Sequence, residues 1–333
     1  MVAGLAVALL AAMVAASQGS VYIPLNAIIE MLGARLPGVG ESGHPDSWNT
    51  ILWQLRLPRV ALALIVGAGL AMSGAAYQGL FKNPLADPYL VGVASGAGLA
   101  ATIVLLTGIP LYLAGVGILP IAAFGGGITS VAIAYTVARR VQGTPLTTLI
   151  LAGVAISALA ASVTSLLMIR SDPDLRPVLS WLMGSFIAAE WSDSLVVLLY
   201  LGPSVCVLLG FARILNVVQL SEEHASMLGV DVERVKIALI VAATLATAAA
   251  VSFSGLIGFV GLVAPHVVRI LWGVDYRFII PMSGLVGGTF LVLADLVART
   301  IVSPGELPVG VVTAFCGAPF FLFILMRRRT SEV

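Results

Sequence analysis

Long apolar runs, interrupted only by proline, glycine or charge, fill almost the whole chain. They predict helices at about 2–18, 57–80, 90–108, 113–138, 146–169, 191–213, 235–253, 256–272, 278–300 and 308–326. Most are near the roughly 20 residues that a membrane crossing needs. Ten crossings put both termini on one side. The polar residues gather between the runs, in two segments above all. Residues 21–49 form a loop of mixed polarity with Pro24, Pro37 and Pro45. Residues 216–236 read as two short helices, the first capped by Ser221, acidic in its first turn at Glu222 and Glu223, and stopped by Gly229. The second starts near Val230 and merges into the next run.

Composition fixes the solvent. Of the 333 residues, 59% are hydrophobic and only 10% charged, against about 25% charged in soluble domains. Lipid is therefore the main solvent, and the expected architecture is an all-α polytopic membrane protein, one transmembrane domain over residues 1–333. The formal charge of +1 argues against a nucleic-acid partner. Cys206 and Cys316 lie in apolar runs, with neither a disulfide nor a metal spacing. Residues 1–20 imitate a signal peptide but lack its positive n-region, so they read as a first transmembrane helix.

Charge distribution sets the expected orientation. With the termini in the cytoplasm, Lys82, Arg139, Arg140, Arg213, Arg234, Lys236, Arg269, Arg277 and Arg327–Arg329 are inside. Arg35, Arg56, Arg59, Arg170, Arg176 and Arg299 are outside. The asymmetry is the one expected of ten spans with both termini inside.

Catalytic chemistry is hard to find. Gly125–Gly127 is not followed by Lys-Ser/Thr, and the sequence has no Walker A pattern, so any ATP belongs to another polypeptide. The runs hold no Ser/His/Asp set, paired aspartates or His-Glu-x-x-His, so an intramembrane enzyme finds no support. An ion-coupled secondary transporter would place carboxylates or broken half-helices near the midplane; no convincing set is legible. Asp295, the strongest embedded charge, lies near one end of its run. His266, after Pro265 at an expected kink, reads as structural rather than as a haem ligand.

Three stretches carry a family resemblance. The first is Gln54-Leu-Arg-Leu-Pro-Arg59, with Asn83-Pro-Leu-Ala-Asp-Pro88 after a glycine-rich run. The second runs from Gly255 through Gly258, Gly261 and Ala264-Pro265-His266 to Arg269. The third is Ala294-Asp-Leu-Val-Ala-Arg299 followed by Glu306-Leu-Pro-Val-Gly310 and Gly317-Ala-Pro319. Together, in this order, they resemble the FecCD family, permeases of type II ABC importers for ferric siderophores, haem and vitamin B12.

The resemblance implies one half of a permease dimer, most simply a homodimer. Two ATPase subunits, holding the ATP and magnesium, bind below, and a soluble substrate-binding protein docks above; the permease itself binds no cofactor. It assigns Arg56, Arg59 and Arg299 to docking of the binding protein, the arginine fork being suited to carboxylates. Asp295 stands one turn before Arg299 as a pairing partner. It assigns the coupling helices to Glu222, Glu223, Ala225, Met227, Leu228, Gly229, Val230 and Asp231. The cytoplasmic gate falls on Asn83 and Leu85 with Leu146 and Thr147, although Pro145 departs from the Ser/Thr-rich loop the family leads one to expect. The cavity between the two copies would be lined by the small, weakly polar Ala155, Ser157, Ala161, Ser162 and Ser165. The expected function is translocation of a bulky metal chelate by alternating access, with ferric siderophore the first choice and haem and cobalamin close behind.

Overall fold

The computed structural model describes residues 2–35, 43–113, 116–140, 146–171, 175–302 and 305–329. The chain is all-α apart from a minimal antiparallel ladder, Tyr112–Leu113 (β1) with Val116–Gly117 (β2). The helices are α1 (Val2–Ser17), α2 (Leu25–Gly33), α3 (Asp46–Thr50), α4 (Leu57–Leu80), α5 (Val93–Leu106), α6 (Ile118–Arg139), α7 (Leu146–Arg170) and α8 (Arg176–Leu182). There follow α9 (Trp191–Gly210), α10 (Ala212–Leu220), α11 (Glu222–Met227), α12 (Val232–Ser254), α13 (Val260–Trp272), α14 (Tyr276–Thr300) and α15 (Val309–Arg329). All ten expected runs are helical: six segments are long and apolar enough to span a membrane, and four apolar helices (α1, α5, α13 and the apolar part of α15) are shorter.

Helix α4 is the axis of the bundle, packed by α14, α12, α13 and α9. Lipid tails are as apolar as leucine, so helices here are held by close van der Waals fit rather than by escape from water. The fit depends on glycine. A Cβ on Gly74 would meet the backbone of Gly261 in α13, and one on Gly67 the backbone of Gly287 in α14. These contacts bring α13 and α14 directly against the α4 backbone.

Two helices are shorter than their apolar runs. Helices α5 and α13 have only 14 and 13 residues, about 20 Å each at 1.5 Å per residue. Each is preceded by a link that leaves the α-helix and enters the bundle, 86–92, which holds one 3-10 turn, and 255–259. Pro88 lies against Gly261, which in turn touches α4 at Gly74, about 9 Å inside the end of α4. The links are tied together at Tyr89, whose hydroxyl donates to the Ile257 carbonyl (3.0 Å) and accepts from the Ile257 N–H (3.2 Å). Gly255, at φ +70°, and Phe259, at φ +68°, turn the chain between α12 and α13. Since α4–α5 and α12–α13 run in opposite directions, the two units form an inverted pair of a kind common in transporters.

Candidate functional site

At one end of the bundle, three arginines form a buried charged cluster. Arg59 lies near the start of α4; its guanidinium makes a fork on Asp295 of α14, with Nε to Oδ1 and Oδ2 at 3.0 and 2.9 Å and Nη2 to Oδ1 at 2.8 Å. It also reaches Glu306 at 2.9 Å. Asp295 is almost fully buried, while the Glu306 side chain keeps 31% of its surface exposed. Arg56 closes a π-helical turn, Ile51–Arg56, and donates to the carbonyls of Ala16 (2.7 Å) and Ser17 (2.8 Å) as well as to that of Val21. Arg299 donates to the Ala15 carbonyl and stands 3.8 Å from Asp295.

The physical logic is that of a helix C-terminus. The last carbonyls of α1 have no intrahelical donors, and cations satisfy them while opposing the negative end of the dipole. The expected pair of Asp295 with Arg299 is therefore a minor part of the geometry, because Asp295 gives its bidentate face to Arg59. Three guanidiniums stand against two carboxylates, so the cluster keeps a net charge of +1.

The opposite end is built for exposure. Ser221 caps α11 by accepting from the His224 N–H at 2.9 Å, and Asp231 caps α12 by accepting from the Arg234 N–H at 3.1 Å. Gly229, at φ +80°, makes the turn between them. Ala225 is buried and Val230 packs on the core, which fixes the inner face. Glu222 pairs with Lys236 at 2.8 Å. Met227 and Leu228 project outward at 82% and 71% exposure, beside the exposed Glu223. The turn therefore presents two large apolar side chains beside an acidic one. A short way off, Asn216 bridges to Asp275, Nδ2 to Oδ1 at 2.7 Å, and Asp275 holds Arg277 at 2.6 Å.

The residues expected to form a gate lie at this same end. Asn83 accepts from the Leu85 N–H at 2.9 Å, closing a tight turn with Pro84. Asp87 accepts from the Tyr89 N–H at 2.7 Å and starts a 3-10 turn, Pro88–Val91. Leu146 and Thr147 are the first residues of α7; the loop before them, residues 141–145, lies outside the described residues. Helix α7 packs on the 88–91 turn, with Gly153 against Leu90 and Val91.

Helix α7 divides the expected lining residues. Ala155, Ser162 and Ser165 share one exposed stripe, which also takes in Ala158, a residue outside the expected set, and Ala161 is exposed at its edge. Ser157 departs from that set: it is half-buried and its hydroxyl accepts from Ser95 of α5 at 2.9 Å. Along α15, Phe315 and Cys316 are also exposed, and Cys206 is exposed on α9. His266 packs edge-on against Phe320 of α15, ring centroids 6.0 Å apart.

What sequence reasoning missed is the re-entry of the two links and the burial of the arginines. Asn83-Pro-Leu-Ala-Asp-Pro88 and Gly255–Gly258 mark breaks between helices in the sequence, but not that the chain re-enters the bundle there.

Comparison with known proteins agrees with this geometry. The FecCD transport family matches residues 6–327. The cobalamin import system permease BtuC of Halobacterium salinarum is 46% identical over 87% of this chain and 77% of its own. The hemin transport system permease HmuU of Yersinia pestis is 41% identical over 93% of this chain and 96% of its own. The Fe(3+)-citrate import system permease YfmE of Bacillus subtilis is 36% identical, covering 92% and 88% respectively. A solved ABC transporter assigned to the metal-chelate type, in an inward-facing conformation, superposes with a TM-score of 0.84 at 31% identity over 98% of both chains. The chain is a polytopic membrane protein that belongs to the FecCD transport family.

Proposed function

We propose that this chain is the permease subunit of an ATP-driven importer and carries a bulky metal chelate through a cavity shared with a second copy. The observation that carries the reading is the stripe on α7. The exposed face of α7 carries Leu151, Leu166 and Ile169, but Ala155, Ala158, Ser162 and Ser165 interrupt it with small and hydroxyl-bearing side chains, which a purely lipid-facing surface does not need. It suits a wall that a large ligand slides along without being held. Small neutral side chains offer neither a charge nor a deep pocket, so the ligand leaves as easily as it enters.

The two ends then take partners. An extracytoplasmic binding protein offers carboxylates to the end that holds Arg56, Arg59 and Arg299, drawn by the cluster's net positive charge and entering where Glu306 reaches the surface. The ATPase receives the turn carrying Glu223, Met227 and Leu228 and pushes on α12 through Asp231. That motion reaches Asn83–Leu85 and Leu146–Thr147, which close or open the pathway. Both termini lie in the cytoplasm, in the inner membrane, as the lysine and arginine distribution favours. Relatives named for cobalamin, hemin and Fe(3+)-citrate frame the cargo as a metal chelate of that size.

The test is reconstitution in liposomes with the cognate ATPase and binding protein, offering cobalamin, haem and ferric siderophore side by side. ATP-dependent uptake of one cargo, abolished by charge reversal at Arg59, is the expected result. Uptake without ATP that collapses with the proton gradient overturns the reading in favour of an ion-coupled transporter.

A further inference from the structure

A second feature stands apart from the transport pathway. Between α6 and α12 an apolar crevice of about 220 Å³ is walled by Ile128, Ala132 and Tyr135 on one side and by Ile237, Val241 and Leu245 on the other. It opens on the outer surface of the bundle, where Ile133, Val137 and Val241 are exposed. From Ile237 to Leu245 it runs about 12 Å along α12, close to the ~15 Å depth of one leaflet's hydrocarbon.

The crevice has one unmet polar group. The Tyr135 hydroxyl is buried and has no hydrogen-bond partner, whereas the other hydroxyl on the wall, Thr244, is already engaged with Tyr77 at 2.7 Å. A buried hydroxyl without an acceptor is unfavourable, and an oxygen-bearing ligand would satisfy it. One turn beyond Tyr135, on the same face of α6, comes Arg139, followed by Arg140. Both are exposed, and among the described residues no carboxylate pairs with either. Across the mouth, Arg234 is paired with Asp231 at 2.8 Å and Glu233 is exposed. The free positive charge is therefore on the α6 side.

We propose that this crevice binds one acyl chain of an anionic glycerophospholipid. The chain lies between α6 and α12, an ester carbonyl accepts from the Tyr135 hydroxyl, and the headgroup phosphate sits on Arg139 and Arg140. Depth, charge and the single unmet donor follow one another in the order in which phosphate, ester and hydrocarbon are joined in such a lipid. The inference stands independently of the cargo and of the transport mechanism.

The experiment uses the full chain, delipidated in mild detergent and offered phosphatidylglycerol and phosphatidylcholine in equal amounts, with bound lipid counted by native mass spectrometry. The wild type should keep one phosphatidylglycerol per chain in about thirtyfold preference, given roughly 1 kcal/mol for each of the two basic residues near the headgroup. Arg139→Gln with Arg140→Gln should erase the preference. Tyr135→Phe should weaken retention of both lipids several-fold, and Ala132→Trp should remove both by filling the crevice. Unfolding temperatures near wild type identify the variants that fold, and only those are scored. Equal retention of the two lipids by the wild type, retention by Ala132→Trp, or equal binding of glycerol 3-phosphate each overturns the proposal. So does a change of oligomeric mass in Ala132→Trp, since the crevice would then be a contact between copies.

Discussion

Helices α4 and α7 have nearly the same length and the same apolar character, yet nineteen of the 24 residues of α4 are buried against five of the 25 in α7. Hydropathy alone does not separate them. What separates them is the use of small residues. In α4, Gly67 and Gly74 let neighbouring backbones close in, so glycine serves fit. In α7, Ala155, Ala158, Ser162 and Ser165 face outward with no such partner. The same small-residue vocabulary packs one helix as a scaffold and lies exposed on the other, where we propose that it forms a wall of the pathway.

The largest effect should come from breaking the scaffold. Gly74→Leu drives a side chain into the Gly261 backbone, and neither backbone can yield, so the loss should be at least about 3 kcal/mol. Size-exclusion and thermal unfolding of purified protein check this: little or no folded material is expected. A fold within two or three degrees of wild type (about the shift of a 1 kcal/mol change) would contradict the role given to α4.

Next comes the charged cluster that anchors α4 to α14. Asp295→Asn leaves Arg59 without its buried carboxylate, a change worth about 3–5 kcal/mol. Glu306→Gln, at a partly exposed position, should cost under about 1 kcal/mol. The unfolding temperatures of the two variants should rank in that order, and equal losses would show that the cluster is not organised around Asp295.

The wall should behave in the opposite way. Ser162→Trp touches no buried neighbour, so its unfolding temperature should stay within a few degrees of wild type while reconstituted uptake falls at least about tenfold. A stable variant with full uptake would remove this stripe from the pathway.

The smallest effect is electrostatic. Asp275 lies outside the spans, and its carboxyl is held below the usual carboxylate range, first by the Arg277 side chain, then by the Arg277 N–H and the Asn216 amide. A depressed folded pKa contributes stability above the unfolded value of about 4 and loses it as pH falls through the folded one. Asp275→Asn should therefore lower the unfolding temperature slightly at pH 7, and the gap should close on acidification below pH about 4.

Much of this was legible from the chain. The ten helices follow from apolar runs, and the Ser221 cap from residue type and spacing, whereas the Asp231 cap was not read from the sequence. The re-entrant links were not, because hydropathy reports the solvent and not the conformation: Gly255–Phe259 stays apolar while leaving the helix. Burial of Arg59 was equally hidden, since its partner Asp295 lies 236 positions away. Ser157 was grouped with its helix neighbours on composition, and only the α5 contact separates it from them.

The most direct measurement is uptake by liposomes holding this chain, its ATPase and its binding protein, with ATP supplied or withheld. The account predicts accumulation of one metal chelate only when ATP is present, unaffected by a protonophore. Accumulation that ignores ATP and vanishes with the protonophore would contradict it.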